Sequence, residues 1–281
     1  MLRCLVACGF ALRAKNESNV VMQSPSDEPD DKSWLRVPLT DPVAVAERYD
    51  DWASSYDEEL HAWGYEAPVQ AARLLVAQLR ARHHDAHDAG GQAGAGGSAV
   101  ATSGVDGVDG LEVALGGRGG DGGVIDGAVL DIGCGTGLTG LALRTLGVDV
   151  IDGVDLSEVS LAAAQSRNIY RSLQRHNFNE ASLPFRDNSY SAAECVGVLS
   201  YAHDPRSLIV DACRVVRPGG TFVFSQRSDL WAKHNLAGVL DDLRAEGILV
   251  EATWSEPQPY MPGNADFADQ ILVLYATLTV A

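Results

Sequence analysis

The chain has 281 residues, 46% of them hydrophobic and 21% charged, which are ordinary proportions for one large globular domain or two small ones. A formal net charge of -17 sets up a field that repels phosphate backbones and anionic lipid, so nucleic acid and membrane surfaces are not expected partners. The five cysteines, Cys4, Cys8, Cys134, Cys195 and Cys213, make no CxxC pair and no secreted spacing. That excludes a disulfide scaffold or structural zinc site and fits a reducing, cytoplasmic compartment.

The first residues, MLRCLVACGFALRAK, carry Arg3, Arg13 and Lys15 ahead of the first acid, Glu17. This is a faint transit-peptide composition with an apolar run too short for a bilayer, so organelle targeting stands as the alternative to a cytoplasmic protein. From Gln23 to Asp41 the chain is rich in Ser, Pro and Asp, and residues 1–40 are expected to form a disordered leader.

Residues 41–84 read as an N-terminal helical cap. Asp41 can cap a helix with Pro42 in its first turn, and apolar residues recur at helical spacing through Val45, Tyr49, Trp52, Ala53 and Tyr56. A break at Gly64 separates it from a second helix, Pro68 to Arg82, with Leu74, Leu75, Val76 and Leu79 on the buried side. Residues 85–127, dominated by Gly, Ala and Asp, cannot offset their ordering entropy and read as a flexible insertion. The nearby His83, His84 and His87 read as solvated, and no metal site is expected.

From 128 to 281, short apolar runs alternate with amphipathic stretches, the pattern of an α/β fold with a Rossmann-like, doubly wound, mostly parallel sheet. Seven strands are expected: Ala128 to Asp131, Val150 to Val154, Ser172 to Asn177, Ala192 to Val198, Thr221 to Ser225, Leu249 to Trp254 and Ile271 to Thr279. Helices are expected at Leu138 to Leu146, Val159 to Gln165, Pro205 to Val216 and, as one long element, Leu230 to Glu246. Arg217-Pro218-Gly219-Gly220 reads as a helix stop and a turn.

The order strand, Asp131, Gly133, Gly135, Gly137, helix puts backbone amides at the positive end of a helix with no Cβ in a ligand's way. Asp155 ends the next strand, 24 residues beyond Asp131, where a carboxylate can accept from both hydroxyls of a ribose. A dinucleotide reading competes, because Gly135-Thr136-Gly137-Leu138-Thr139-Gly140 matches GxGxxG. Asp131 argues against it: its charge would crowd a pyrophosphate, whereas a cationic cofactor without phosphate is attracted.

VLDIGCGTG, GVDLS, LPFRDNSYSAAECVGVLSY and RVVRPGGTFVF resemble, in order, the motifs of class I S-adenosylmethionine-dependent methyltransferases of the methyltransferase type 11 kind. YDDWASSYDEELHAWGYEAP further resembles the Williams–Beuren-region methyltransferase-like proteins. The resemblance implies S-adenosylmethionine as cofactor, with Asp131, Gly133, Cys134, Gly135, Thr136 and Gly137 at its methionine part. It places Asp155 on the ribose, Leu156 on the adenine, Asn177 and Phe178 at the adenine edge, and Cys195, Val196 and Gly197 near the sulfonium. Asn177 departs from the family's usual Asp: its side-chain oxygen still accepts from an amine but brings no charge.

Tyr49, Trp52 and Tyr56 share one helix face, which can pack on the sheet or form a lid over the cofactor. No catalytic residue is assigned; Tyr201 and His203, after the fourth strand, are candidates to orient or deprotonate an acceptor, although His203 reads equally as a solvated loop residue. Trp254, Tyr260 and Met261 are expected to wall an apolar pocket, so a small-molecule acceptor is the leaning, with no protein partner indicated. The alternatives are a catalytically silent cofactor-binding or protein-interaction module and an NAD-dependent oxidoreductase.

Overall fold

A computed structural model describes Leu35 and residues 41–91, 127–265, 268 and 270–281. Apart from Leu35, the proposed leader lies outside the described residues, as does most of the glycine-rich insertion.

Three helices precede the sheet: α1 (Pro42–Trp52), α2 (Tyr56–Ala62) and α3 (Ala67–Gly91). Asp41 caps α1 as expected, its side chain accepting from the Val43 amide, with Pro42 in the first turn. The sequence pattern runs on through Tyr56, yet the chain turns at residues 53–55. Ser55 sits there, bonding Glu59 Oε1 at 2.5 Å through its hydroxyl, the kind of local side-chain bond that competes with helix continuation. Helix α3 continues to Gly91, so the first seven residues of the expected flexible insertion are helical.

The remaining elements are β1 (Val129–Ile132), α4 (Leu138–Thr145), β2 (Ile151–Asp155), α5 (Glu158–Ser166), β3 (Ser172–Arg175), β4 (Tyr190–Cys195), α6 (Pro205–Val215), β5 (Val216–Arg227), α7 (Ser228–Lys233), α8 (Leu236–Ala245), β6 (Leu249–Trp254), β7 (Gln258–Pro259) and β8 (Leu272–Val280). The sheet order is β3-β2-β1-β4-β5-β8-β6. Strands β3 to β5 run parallel along this path, while β8 is antiparallel to both β5 and β6. The seven expected strands are all present, and an eighth, the two-residue β7, pairs with β8.

Two expectations are corrected. Arg217 to Gly220 lies within β5, where pairing with β4 jumps from Tyr190↔Val216 to Ala192↔Thr221, so these residues bulge out of the ladder without ending the strand. The helix expected from Leu230 to Glu246 breaks at Asn235, which takes a left-handed φ of 47° that asparagine tolerates better than most residues.

Both faces of the sheet are covered, and alternate strand residues feed each. Leu130, Ile132, Phe222, Phe224, Ala276 and Leu278 pack with α6 and α8. Val129, Ile151, Ala192, Val223, Val273 and Tyr275 pack with α3 and α4. The strand order reverses between β1 and β4, which opens a cleft at their carboxyl ends, where ligands sit in folds of this kind. Among the described residues no helix is long and apolar enough to cross a membrane.

Gly140 lets α4 close down near the sheet: a Cβ there would fall 2.3 Å from the Tyr170 hydroxyl. Gly140→Ala should therefore destabilise the fold by ~1–3 kcal/mol through overpacking, read as a lowered denaturant midpoint; an unchanged midpoint would contradict this packing.

Candidate active site

The glycine loop follows β1. Its start is pinned by the Val154 carbonyl, which accepts from the amides of Gly133 at 2.8 Å and Cys134 at 3.0 Å. Its middle is held by Asp155, whose Oδ2 accepts from the Gly135 amide at 2.8 Å while Oδ1 accepts from Ser157 at 2.9 Å. Gly133 has a φ of 71°, and a Cβ on it would lie 2.1 Å from Val198 Cγ2, so no side chain fits between β1 and the segment after β4. Burial pushes the Asp155 carboxyl up, and the backbone donors work in the opposite direction.

Above this loop lies a cleft. Of the residues proposed for a cofactor, Gly133, Gly135, Thr136, Asp155, Leu156, Asn177, Phe178, Val196 and Gly197 line it. Asp131, Cys134, Gly137 and Cys195 do not: they are packed beneath or beside it. Asp131 is 1% exposed and its Oδ2 accepts from the Tyr170 hydroxyl at 2.7 Å. Cys134 and Cys195 are buried thiols whose pKa values burial pushes up, so neither is an active nucleophile. Asn177 Oδ1 already accepts from the Asn179 amide at 3.0 Å, which leaves its remaining lone pair for a ligand.

Tyr49, Trp52 and Tyr56 all line the cleft, which brings α1 and the start of α2 over the glycine loop. The cap is fastened by polar contacts that sequence periodicity does not register. Asp50 accepts from the hydroxyl of Ser157, which also caps α5 through the Ser160 amide. Asp57 accepts from Thr136 Oγ1 at 2.6 Å and pairs with Arg167, whose Nε donates to the Thr136 carbonyl at 2.6 Å.

Tyr201 lines the cleft, bonded hydroxyl to hydroxyl with Tyr49 at 2.8 Å, while His203 is exposed and off the cleft wall. Tyr260 and Met261 form part of the wall as expected. Trp254 does not: it is 41% exposed and packs on Trp231 across 5.6 Å. Sequence reasoning missed Tyr65, Tyr170, Glu194 and Arg227. The apolar setting of Glu194 in YSAAECV is the one signal that marks it as a buried acid. Among the described residues no group of His, Cys, Asp and Glu is arranged to hold a metal ion.

The loop and the sheet that carries it resemble those of S-adenosylmethionine-dependent methyltransferases. Residues 130–224 match the methyltransferase domain family, which displaces the oxidoreductase reading of the same glycines. Human methyltransferase-like protein 27 is 27% identical over 203 residues, covering 71% of this chain and 66% of its own, in keeping with the Williams–Beuren resemblance. Ubiquinone biosynthesis O-methyltransferase of Pseudomonas putida is 34% identical over 100 residues, covering 34% of this chain and 43% of its own. This chain thus spans less than two thirds of either relative. A SAM-dependent methyltransferase structure from Thermotoga maritima shares the fold at a TM-score of 0.50 and 15% identity, covering 83% of this chain and 98% of that one.

Glu194 stands in register beside Asp131 on the neighbouring strand, 0% exposed, and neither carboxylate oxygen has a hydrogen-bond partner among the described residues. Burial, reinforced by Asp131, raises its pKa well above the ordinary glutamate value, and burial raises Asp131 to about 7. Both carboxyls hold protons more tightly folded than unfolded, so their contribution favours the native state at low pH and is lost as pH rises from about 4 towards 7. Glu194→Gln mimics the protonated acid and removes its share of that loss. The unfolding free energies of the two proteins should match near pH 5 and diverge in the variant's favour by pH 8, by ~1–3 kcal/mol. A constant offset across that range would refute the account.

Proposed function

We propose that the cleft binds S-adenosylmethionine and a small-molecule methyl acceptor beneath a closed α1–α2 cap. One observation carries this reading: the Asp155 carboxylate and the amides it holds in place meet at the lip of the cleft, directly under Tyr49 and Tyr56. Gly133 and Gly135 leave room for a ligand to approach the backbone, and Asp155 offers its remaining lone pairs to the ribose hydroxyls. Leu156 and Phe178 face the adenine, and Asn177 accepts from its amine. Val196 and Gly197 flank the reacting centre. Asp131 acts from below the floor: its carboxyl, raised to about 7 by burial, is part-ionised near neutral pH, and the charge it then carries favours a cationic ligand over a phosphate.

When bound, S-adenosylmethionine supplies a methyl carbon already activated by the sulfonium. The chain's task is then to align the acceptor and exclude water. Trp52, Met261 and Ile271 close the apolar end of the cap, each 5% exposed or less. No side chain on the acceptor wall is fitted to take a proton near neutral pH. Burial raises the hydroxyls of Tyr49, Tyr56, Tyr65 and Tyr201, with Tyr260 pushed up to about 12. The acceptor must therefore arrive as a competent nucleophile.

Calorimetry with S-adenosylhomocysteine tests the site. Asp155→Ala should weaken binding at least tenfold, ~1.4 kcal/mol, and Tyr56→Ala severalfold, both without loss of the folded state. Unchanged affinity in Asp155→Ala would remove the reading, and unchanged affinity in Tyr56→Ala would reduce the cap to a packing element. Transfer of a labelled methyl group into a metabolite extract separates an enzyme from a silent binding module. Stabilisation of the fold by NAD but not by S-adenosylhomocysteine would reverse the assignment.

A further inference from the structure

Besides Phe178, six aromatic side chains from four separate parts of the chain converge on the cleft: Tyr49, Trp52, Tyr56, Tyr65, Tyr201 and Tyr260. Their arrangement is mostly perpendicular, so they form corners and not a stack. Tyr49 meets Tyr201 at 86° across 5.9 Å, Trp52 meets Tyr56 at 75° across 4.6 Å, and Tyr65 meets Tyr260 at 82° across 5.1 Å. Two hydroxyl pairs tie the rings together, Tyr49 with Tyr201 at 2.8 Å and Tyr65 with Tyr260 at 3.3 Å. Tyr56 lies among them, close enough to feel Tyr201, Tyr260 and Asp155.

The lining carries one carboxylate, Asp155, and one cation, Arg227. Arg227 is offset: its Nε and one Nη hold both oxygens of Asp229 at 3.1 and 2.8 Å, and the other Nη donates to the Leu35 carbonyl at 2.6 Å. The wall therefore presents aromatic rings and phenolic oxygens with no uncompensated positive charge, in a chain of net charge -17. A box of aromatic faces attracts an ammonium group through the ring quadrupoles, and a carboxylate acceptor finds no such match.

We propose that this aromatic box is an ammonium site and that the methyl acceptor is an amine, an inference that rests on the cofactor reading above. An ammonium acceptor first gives its proton to water; the freed nitrogen lone pair then forms the bond to the methyl carbon while the carbon–sulfur bond breaks with its pair staying on sulfur. A primary or secondary amine then releases its proton to water, and the rings stabilise the cationic product without any protein base.

The test uses the full chain saturated with S-adenosylhomocysteine, whose sulfur is neutral, and first measures that saturation by calorimetry. Failure there would strike the cofactor reading itself and not the ammonium site. Three probes of similar shape are then titrated: choline, its neutral carbon isostere dimethylbutanol, and the carboxylate dimethylbutanoate. Choline should bind at least tenfold more tightly than either. Tyr260→Leu, which deletes a ring, should weaken choline severalfold, while Tyr260→Phe, which keeps it, should hold the affinity within about twofold. Equal binding of choline and dimethylbutanol, tighter binding of the carboxylate, or no choline binding to a protein that still takes up S-adenosylhomocysteine would each overturn the proposal. In the last case the rings serve the sulfonium of the cofactor alone or only pack the cap.

Discussion

One carboxylate holds the floor of the cleft and, at one remove, its roof. Asp155 reaches from the end of β2 to the Gly135 amide in the loop after β1, and its other oxygen takes the Ser157 amide. A loop of glycines has little intrinsic preference for any one shape, so a charge-assisted bond across its middle sets the conformation that the sequence leaves open. Ser157 then starts α5 with its hydroxyl and receives Asp50 from α1. The helical cap is thus registered on the loop through two side chains and one turn.

The sheet was legible because its signals are local and repeated. Strand-terminal Asp131 and Asp155, the glycines between Gly133 and Gly137, and the alternation of residues such as Phe222, Val223 and Phe224 each reflect a constraint that acts within a few positions of the chain. Element ends were less legible. Asn235 breaks a helix that hydrophobic spacing alone would carry through, and the Pro218-Gly219-Gly220 turn signal is absorbed as a bulge in β5, because neighbouring strands supply pairing that a turn motif does not anticipate.

The site was half legible for a related reason. Residues that line the cleft through backbone geometry, such as Gly133 and Asp155, sit in motifs. Tyr65, from the α2–α3 turn, sits in none, and Tyr201 and Tyr260, which the sequence marks singly, give no sign there that the folded sheet brings all three together. Asp131 is instructive in the opposite sense. Its motif marks it for the ligand, yet it is buried with Tyr170 donating to its Oδ2, an arrangement made possible by Gly140 and Gly153 clearing space for one ring.

The cap is fastened to the loop by contacts that involve the loop's own residues, Asp57 with Thr136 and Arg167 with the Thr136 carbonyl. Opening the cleft and loosening its floor are therefore not independent events. A protein built this way has an apparent affinity that equals the affinity of the closed form multiplied by the fraction of time it is closed. Variation just behind the site, on the outer side of α2 or at Arg167, can then tune how firmly the protein holds what it binds while every residue that lines the cleft stays the same.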